Sequence, residues 1–413
     1  MNKQRFCKED FSSRISYLGR LAELSRPEGR VYAVCLKESF DLIVFVQYLQ
    51  ERSGSILLIH PDTPLETAKE LAIRSNCHYL IYGNVEFIIE IDKNQPFHPP
   101  SLMQFSSGTT GKSKLVSREW HEIGIEIENY NRALSASSDE KAVILVPVSH
   151  SFGLIAGVLA SMQRDAEPIV VQSPNPKFAL QLIRSTPKSI IYAVPFLYHL
   201  LNSFGKEELA YHKLISSGAP LTDALLSQLK PKSHEVWQQY GCTEVGCISL
   251  GKLDSVSSDV GRPLNHLQVT LSPSASHPTL NEIVVQVGSN RIHTNDAGEI
   301  AESGELHVWG RMDDVINVSG LKVFPSELEN TIGRMQGIKE VVVHKMPHKV
   351  WGEAVKAQVI VSDGIGPLEI KNWCMAHLPA YKVPSIIEIV REIPKLPSGK
   401  VSRTLLFEQE RTS

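Results

Sequence analysis

Long hydrophobic runs are missing from this 413-residue chain. No apolar stretch approaches the roughly 20 residues of a membrane-spanning helix, so no membrane contact is expected. The opening MNKQRFCKEDFSSR has no apolar core of the kind a secretory leader carries. The cysteines Cys7, Cys35, Cys77, Cys242, Cys247 and Cys374 contain no Cys-x-x-Cys pair. They read as reduced thiols of a cytoplasmic protein. A zinc site on Cys242 and Cys247 needs further ligands at short spacing, and none is there. Strong charge of either sign is absent too. The net is −3, which does not mark a nucleic-acid binder. Internal repeats and low-complexity segments are also missing.

What remains is an ordinary globular composition, long enough for two or more domains. The apolar runs VYAVCL (31–36), SILLIH (55–60) and HYLIYG (78–83) alternate with helix-periodic stretches. One of these ends near residue 52, and the other is PLETAKELAIRS (64–75). That alternation predicts an α/β layer with parallel pairing. It returns at AVILVPV (142–148), PIVVQS (168–173), SIIYAVP (189–195) and HKLISSG (212–218). SPSASHP (272–278) reads as a loop between strand-like runs. Beyond GRMDDVINVSG (310–320), FPSELENTIGRM reads as a helix, with Ser326 and Glu329 spaced as a capping box. EVVVHKM, AVKAQVIVS and IIEIV read as strands, and PLEIKNWCMAHL as a helix. The expected fold class is α/β, with α+β in the tail. Residues 1–312 form a large domain of mixed sheets and helices, and residues 313–413 a small one.

The chemistry-bearing residues concentrate first in SSGTTGKSK (106–114). It ends in Gly-Lys-Ser, as a Walker A loop does. That pattern needs a glycine where Ser106 stands, and Gly108 leaves only two residues before Gly111. A P-loop NTPase is thereby excluded. The loop still offers backbone freedom at Gly108 and Gly111. It adds hydroxyls at Ser106, Ser107, Thr109 and Thr110, and charge at Lys112 and Lys114. Such a loop suits a polyanion, but taken alone it reads first as an ordinary surface turn.

Seven segments in order decide between these. They are FSSGTTGKSKLV (105–116), SSGAPL (216–221), QQYGCTEVG (238–246), VGRPL (260–264), TNDAGEI (294–300), GRMDDVINVSGLKVFPSELE (310–329) and PKLPSGKVSR (394–403). Together they resemble the motifs of the adenylate-forming superfamily. That group includes acyl- and aryl-CoA synthetases, peptide-synthetase adenylation domains and luciferases. The resemblance implies a large adenylation domain and a small mobile C-terminal domain. It implies attack of a carboxylate on the α-phosphorus of ATP with Mg2+, then transfer of the acyl group to a thiol. By the same resemblance, Ser106 to Lys112 and Lys114 hold the β- and γ-phosphates. Thr243 contacts phosphate and Glu244 binds magnesium. Tyr240, followed by Gly241, stacks on adenine against Gly218, Ala219 and Pro220. Asp296 accepts the ribose hydroxyls with Arg311 beside it. Lys400 bridges carboxylate and α-phosphate. Asp313 is the hinge, and Gly320 and Lys322 line a thiol channel.

The chain departs from the pattern in places. It is short for the family, and Asn295 stands where the family has glycine. The substrate-side segment VPVSHSFGL (146–154) offers His150, Ser151, Phe152 and Gly153. Val194 and Pro195 are the further expected pocket residues. No aspartate is there for an α-amino group, so an amino acid is disfavoured. His150 as a core histidine is the plainer alternative. The arrangement resembles the stand-alone aryl-acid–AMP ligases of siderophore pathways. That implies a dihydroxybenzoate-like acid and a carrier-protein acceptor, although Ser151 departs from the asparagine of 2,3-dihydroxybenzoate enzymes. The rivals are a synthetase using free coenzyme A and a non-catalytic nucleotide-binding regulator.

Overall fold

The apolar run at 31–36 is a strand, β1 (Val31–Leu36), buried along its whole length. With β2 (Ser55–Leu58), β3 (Tyr79–Gly83), β4 (Ile88–Glu90), β5 (Ser101–Phe105) and β6 (Leu115–Glu119) it forms a sheet of order β4-β3-β1-β2-β5-β6. β1 runs parallel to β2 and β3, and β2 parallel to β5. The edges are antiparallel: β4 on β3, and β6 on β5. The helices Ser39–Glu51 and Leu65–Arg74 are the crossovers that parallel strands require. Strands covered on both faces read as unbroken apolar runs, which is why these were legible. β7 (Lys141–Ile144) and β8 (Pro168–Val170) form a further parallel pair.

This computed structural model describes residues 5–106, 114–172, 175–204, 210–253, 258–274, 279–348, 351–362, 364–395 and 401–412. The chain divides into two units. The first is residues 1–175 with 242–247, the second residues 176–241 with 248–413. The elements above belong to the first unit.

In the second unit, β9 (Ser189–Ala193), β10 (Tyr211–Ser216) and β11 (Ser233–Cys242) run parallel. β12 (Gly246–Lys252) and β13 (Arg262–Pro263) extend them in the order β13-β12-β11-β10-β9. An antiparallel meander follows: β14 (Gln268–Pro273), β15 (Asn281–Val287), β16 (Asn290–Ile300) and β17 (Leu306–Arg311).

The tail has the predicted order of elements. β18 (Ile316–Val318) and β19 (Leu321–Val323) form a hairpin. β20 (Ile338–His348) pairs antiparallel with β21 (Gly352–Val361), and β22 (Ile386–Ile389) lies parallel to β21. The helices Pro325–Gly333 and Pro367–His377 cover a core of Leu328, Ile332, Val343, Val355, Val359, Ile370 and Cys374. Full burial of each such aliphatic side chain contributes roughly 1.5–3 kcal/mol.

The capping box expected at Ser326 and Glu329 is not formed. The N-cap is Phe324, without a side-chain cap, and Pro325 opens the helix. Ser326 Oγ donates instead to the Trp309 carbonyl at 2.5 Å. Glu329 turns to Arg403 and accepts the Val343 N–H at 2.8 Å. A guanidinium is the stronger partner for that carboxylate. All six cysteines are free thiols. Among the described residues, no helix is long and apolar enough to cross a membrane.

Candidate active site

The hydroxyl-rich loop joins two antiparallel strands, β5 and β6. Ser106 N–H donates to the Lys114 carbonyl at 2.9 Å, closing the loop at its base. A Walker loop leads from a strand into a helix, so topology agrees with the spacing argument. Ser107, Gly108, Thr109, Thr110, Gly111 and Lys112 lie outside the described residues. Thr243 and Glu244 sit half-buried in the tight turn after β11. Among the described residues, no three His, Cys, Asp or Glu side chains gather into a metal-sized group.

The first unit also carries the substrate-side segment. Gln104, the fourth residue of β5, organises it. Its Nε2 donates to the Ser149 carbonyl at 2.9 Å, and its Oε1 accepts from the Ser151 hydroxyl. With that proton committed, the Ser151 oxygen presents acceptor lone pairs. His150 is exposed rather than in the core. The His60 ring lies 6.3 Å from the His150 ring. Gly153 is the second residue of the π-helical turns Phe152–Leu159, buried from that glycine onward. A Cβ there would lie 2.4 Å from the Pro147 carbonyl oxygen, so only glycine fits. Gln104 and His60 were missed in the sequence. The signal was there: a polar residue inside the buried strand SLMQF, and a histidine closing the run SILLIH.

In the second unit, Gly218, Ala219 and Pro220 are exposed just past the end of β10. Gln238, opposite Ser216 on β11, accepts the Leu221 N–H at 3.2 Å and pins that loop. Ligands of parallel sheets bind at such carboxyl ends. Val194 and Pro195 lie at the equivalent end of β9, where the Val194 carbonyl caps the helix Pro195–Phe204. Exposed Gly241 follows Tyr240 on β11.

Three of the predicted residues meet. Tyr240 OH donates to Asp296 Oδ2 at 2.6 Å. Arg311 Nη1 donates to Asp296 Oδ1 at 3.2 Å and to the Thr294 carbonyl at 2.9 Å. The register of β16 on β17 sets Asp296 directly opposite Arg311. Asn295, between Thr294 and Asp296, has φ +58°. Its Nδ2 donates to Asp313 Oδ2 at 2.5 Å.

Asp313 lies in the short 3-10 turn Met312–Asp314. Lys345 Nζ donates to its carbonyl at 3.1 Å. Its neighbour Asp314 meets Arg403 Nη1 at 3.3 Å, and Arg403 Nη2 contacts both Glu329 oxygens at 2.7 and 2.8 Å. Burial pushes the Asp314 carboxyl above its usual range, and Arg403 offsets part of that. Gly320 occupies the β18–β19 turn, and Lys322 follows on β19. Lys400 lies outside the described residues, three positions before the anchored Arg403.

Residues 32–305 match the family described as AMP-binding enzyme, and residues 327–400 match the AMP-binding enzyme C-terminal domain. The chain belongs to this family. Among its relatives is the 3,4-dihydroxybenzoate–[aryl-carrier protein] ligase of Bacillus anthracis. It is 46% identical over 414 residues, covering 100% of this chain and 99% of that protein. The 2-succinylbenzoate–CoA ligase of Oceanobacillus iheyensis is 26% identical over 76% of this chain and 71% of its own. Solved structures share the AMP-binding fold. ATP-bound MatB from Rhodopseudomonas palustris superposes with a TM-score of 0.85 at 19% identity, over 97% of this chain and 93% of that one. O-succinylbenzoate coenzyme A synthetase from Bacillus subtilis, with AMP, gives 0.83 at 18% identity, over 98% and 94%.

Proposed function

We propose that this AMP-binding enzyme activates an aryl carboxylic acid as its acyl-adenylate and passes the acyl group to a carrier-protein phosphopantetheine thiol. The acid is dihydroxybenzoate-like, and the setting is siderophore assembly in the cytoplasm. The observation that carries this reading is the full-length correspondence with the 3,4-dihydroxybenzoate–[aryl-carrier protein] ligase.

The geometry supports it. A carboxylate offers about four acceptor positions. Tyr240 and Arg311 each donate to Asp296, and the same buried carboxylate is assigned as the acceptor for the hydroxyls of a ribose. The exposed backbone of Gly218, Ala219 and Pro220 and the Tyr240 ring suit adenine. Ser151, held by Gln104, suits a phenolic hydroxyl as donor. In the reaction a carboxylate oxygen bonds to the α-phosphorus while the bond to the β-phosphate oxygen breaks, releasing pyrophosphate. The thiol sulfur then bonds to the acyl carbon and AMP leaves. The chain's task is to hold two anions together and to neutralise the charge that builds on phosphate. Lys112, Lys114 and Lys400 are the cations assigned to it, with Thr243 as a phosphate contact. Glu244 offers one half-buried carboxylate, a donor set that fits magnesium, which takes few protein carboxylates and completes its shell with phosphate and water. When bound, the ion neutralises phosphate charge.

The boundary between a large and a small domain is placed at 312/313. The family matches stop at 305 and resume at 327, on either side of it. Asp313 is assigned as the pivot, and Gly320 and Lys322 to the thiol path.

The test is pyrophosphate exchange across benzoates, fatty acids and amino acids. Hydroxylated benzoates should exchange fastest, and a preference for fatty or amino acids sinks the reading. Transfer to free coenzyme A is the second reading, favoured by relatives such as the 2-succinylbenzoate–CoA ligase. A coenzyme A dependence assay separates the two. Absence of exchange with every acid returns the regulator reading.

A further inference from the structure

The strand that leaves the hydroxyl-rich loop and the turn of Thr243 and Glu244 converge on one buried ion pair. Arg118 is on β6, and Glu126 is on the helix Trp120–Leu134. Arg118 Nη2 lies 2.6 Å from Glu126 Oε2, with the two side chains 8% and 3% exposed. The other oxygen, Glu126 Oε1, accepts the Cys247 backbone N–H at 2.7 Å. Gly246, at φ +89°, rests its backbone on the pair. A Cβ there would lie 2.3 Å from Glu126 Oε2 and 2.4 Å from Arg118 Nη1. The turn is thus pinned two residues beyond Glu244.

Stability is a poor reason for such a pair. Desolvating two ions offsets most of their attraction, and apolar replacements of similar volume are often neutral or better. Arg118 Nη1 is buried without a hydrogen-bond partner among the described residues, so the pair is not a fully satisfied network. An apolar pair, however, cannot accept the Cys247 N–H. It would also leave nothing to set the height of the turn above β6.

We propose that Glu126 is a positioning residue for the nucleotide. Through Arg118 on one side and the Cys247 N–H on the other, it fixes the Thr243–Glu244 turn relative to the strand leaving the 106–114 loop. This rests on the assignment of both segments to the triphosphate and its magnesium ion. A turn that drifts weakens Mg·ATP binding and leaves the acid's own contacts untouched.

The experiment uses the full chain in pyrophosphate exchange, with separate KM values for Mg·ATP and for the acid. Two perturbations reach the anchor differently. The double variant Arg118→Met/Glu126→Leu keeps the volume and removes the acceptor. Gly246→Ala keeps the pair and lifts the turn off it. Each should raise the KM for Mg·ATP about tenfold and weaken Mg·ATP binding to the enzyme, measured by calorimetry without acid, by the same factor. The KM for the acid should stay within about twofold. If the double variant fails to fold, Gly246→Ala decides. An unchanged KM for Mg·ATP, or an equal rise in both KM values, overturns the proposal. A wild type without exchange on any acid refutes the ligase reading instead, and the two failures are distinct.

Discussion

Replacing Asp296 by asparagine tests whether the Tyr240–Asp296–Arg311 cluster serves a ribose or only ties strands together. The change is nearly isosteric. One oxygen becomes an NH2 that can only donate, so acceptor positions fall from about four to two. Tyr240 OH donates to one oxygen and Arg311 Nη1 to the other, so one of these donors would face the new NH2 and the two would compete for the single oxygen left. The ribose hydroxyls then lose their acceptors. A hydrogen bond to a charged group is worth roughly 1.5–3 kcal/mol, and each 1.4 kcal/mol is about tenfold. The KM for ATP should therefore rise about tenfold to a hundredfold. Asp296 is only 7% exposed, so solvent does not erase the effect. The Arg311 side chain is 37% exposed, so the loss of its ion pair adds little to stability. The assay is pyrophosphate exchange with ATP, 2′-deoxy-ATP and 3′-deoxy-ATP, with thermal melting as the folding control. Wild type should discriminate against each deoxy nucleotide by about tenfold, and Asp296→Asn should lose most of that discrimination. A wild type that uses the deoxy nucleotides as well as ATP refutes the ribose assignment. So does a variant whose kcat falls equally with all three while KM stays put.

Four further outcomes are expected. Lys400→Ala should suppress adenylate formation by several orders of magnitude with ATP binding nearly intact, because a lost transition-state contact lowers kcat more than binding; near-normal exchange would remove Lys400 from that role. His150→Ala should raise the KM for a dihydroxybenzoate more than for benzoate, and an equal effect on both would count against a hydroxyl-reading pocket. Asn295→Gly removes the hydrogen bond to Asp313 while glycine tolerates the same backbone conformation, so the melting temperature should hold. The ratio of adenylation to thiol-transfer rates should change about fivefold, the equivalent of about 1 kcal/mol; an unchanged ratio denies the hydrogen bond any part in the hinge. His344 is 1% exposed, and burial pulls its imidazole below the usual range, against weaker opposing effects of the Lys345 carbonyl and Glu410. Its stabilising contribution is whole above about pH 6.5 and is lost as the pH falls toward the depressed folded value, because the unfolded chain takes up the proton first. His344→Gln should flatten the acid limb of a melting-temperature profile, and an unchanged limb would show that His344 does not set it.

The parallel strands were legible because burial on both faces leaves an apolar run. The β14–β17 meander was legible only at β14 and β15, the strand-like runs that flank the loop read at 272–278. β14 alternates exposed and half-buried positions, and β16 mixes exposed, half-buried and buried ones, with polar residues throughout both. Such strands are defined by the neighbours they pair with, and pairing is not a local property. The site divides in the same way. Tyr240, Asp296 and Arg311 could be named from motif order. That they touch follows from the register that sets Asp296 opposite Arg311, which no spacing in the sequence encodes. Gln104 and Glu126 were passed over for a related reason. One is a polar residue within a buried strand and the other an acidic residue on an amphipathic helix, and each finds its partner far along the chain.

Asn295 shows how a departure from a motif becomes intelligible in three dimensions. In the sequence, an asparagine stands between Thr294 and Asp296 where the family has glycine. Its φ of +58° places the residue in the left-handed region, and asparagine is among the few residues with a side chain that enter it at modest cost. The backbone conformation that glycine supplies is thus kept. The Asn295 N–H is spent on Glu282 Oε1 at 2.8 Å, and the Asp296 N–H turns to Thr294 Oγ1 at 3.1 Å, which holds the Asp296 carboxylate toward Tyr240 and Arg311. What glycine could not supply is the side-chain amide that reaches Asp313. The substitution therefore leaves the carboxylate in place and adds a link between the strand that carries it and the residue assigned as the pivot.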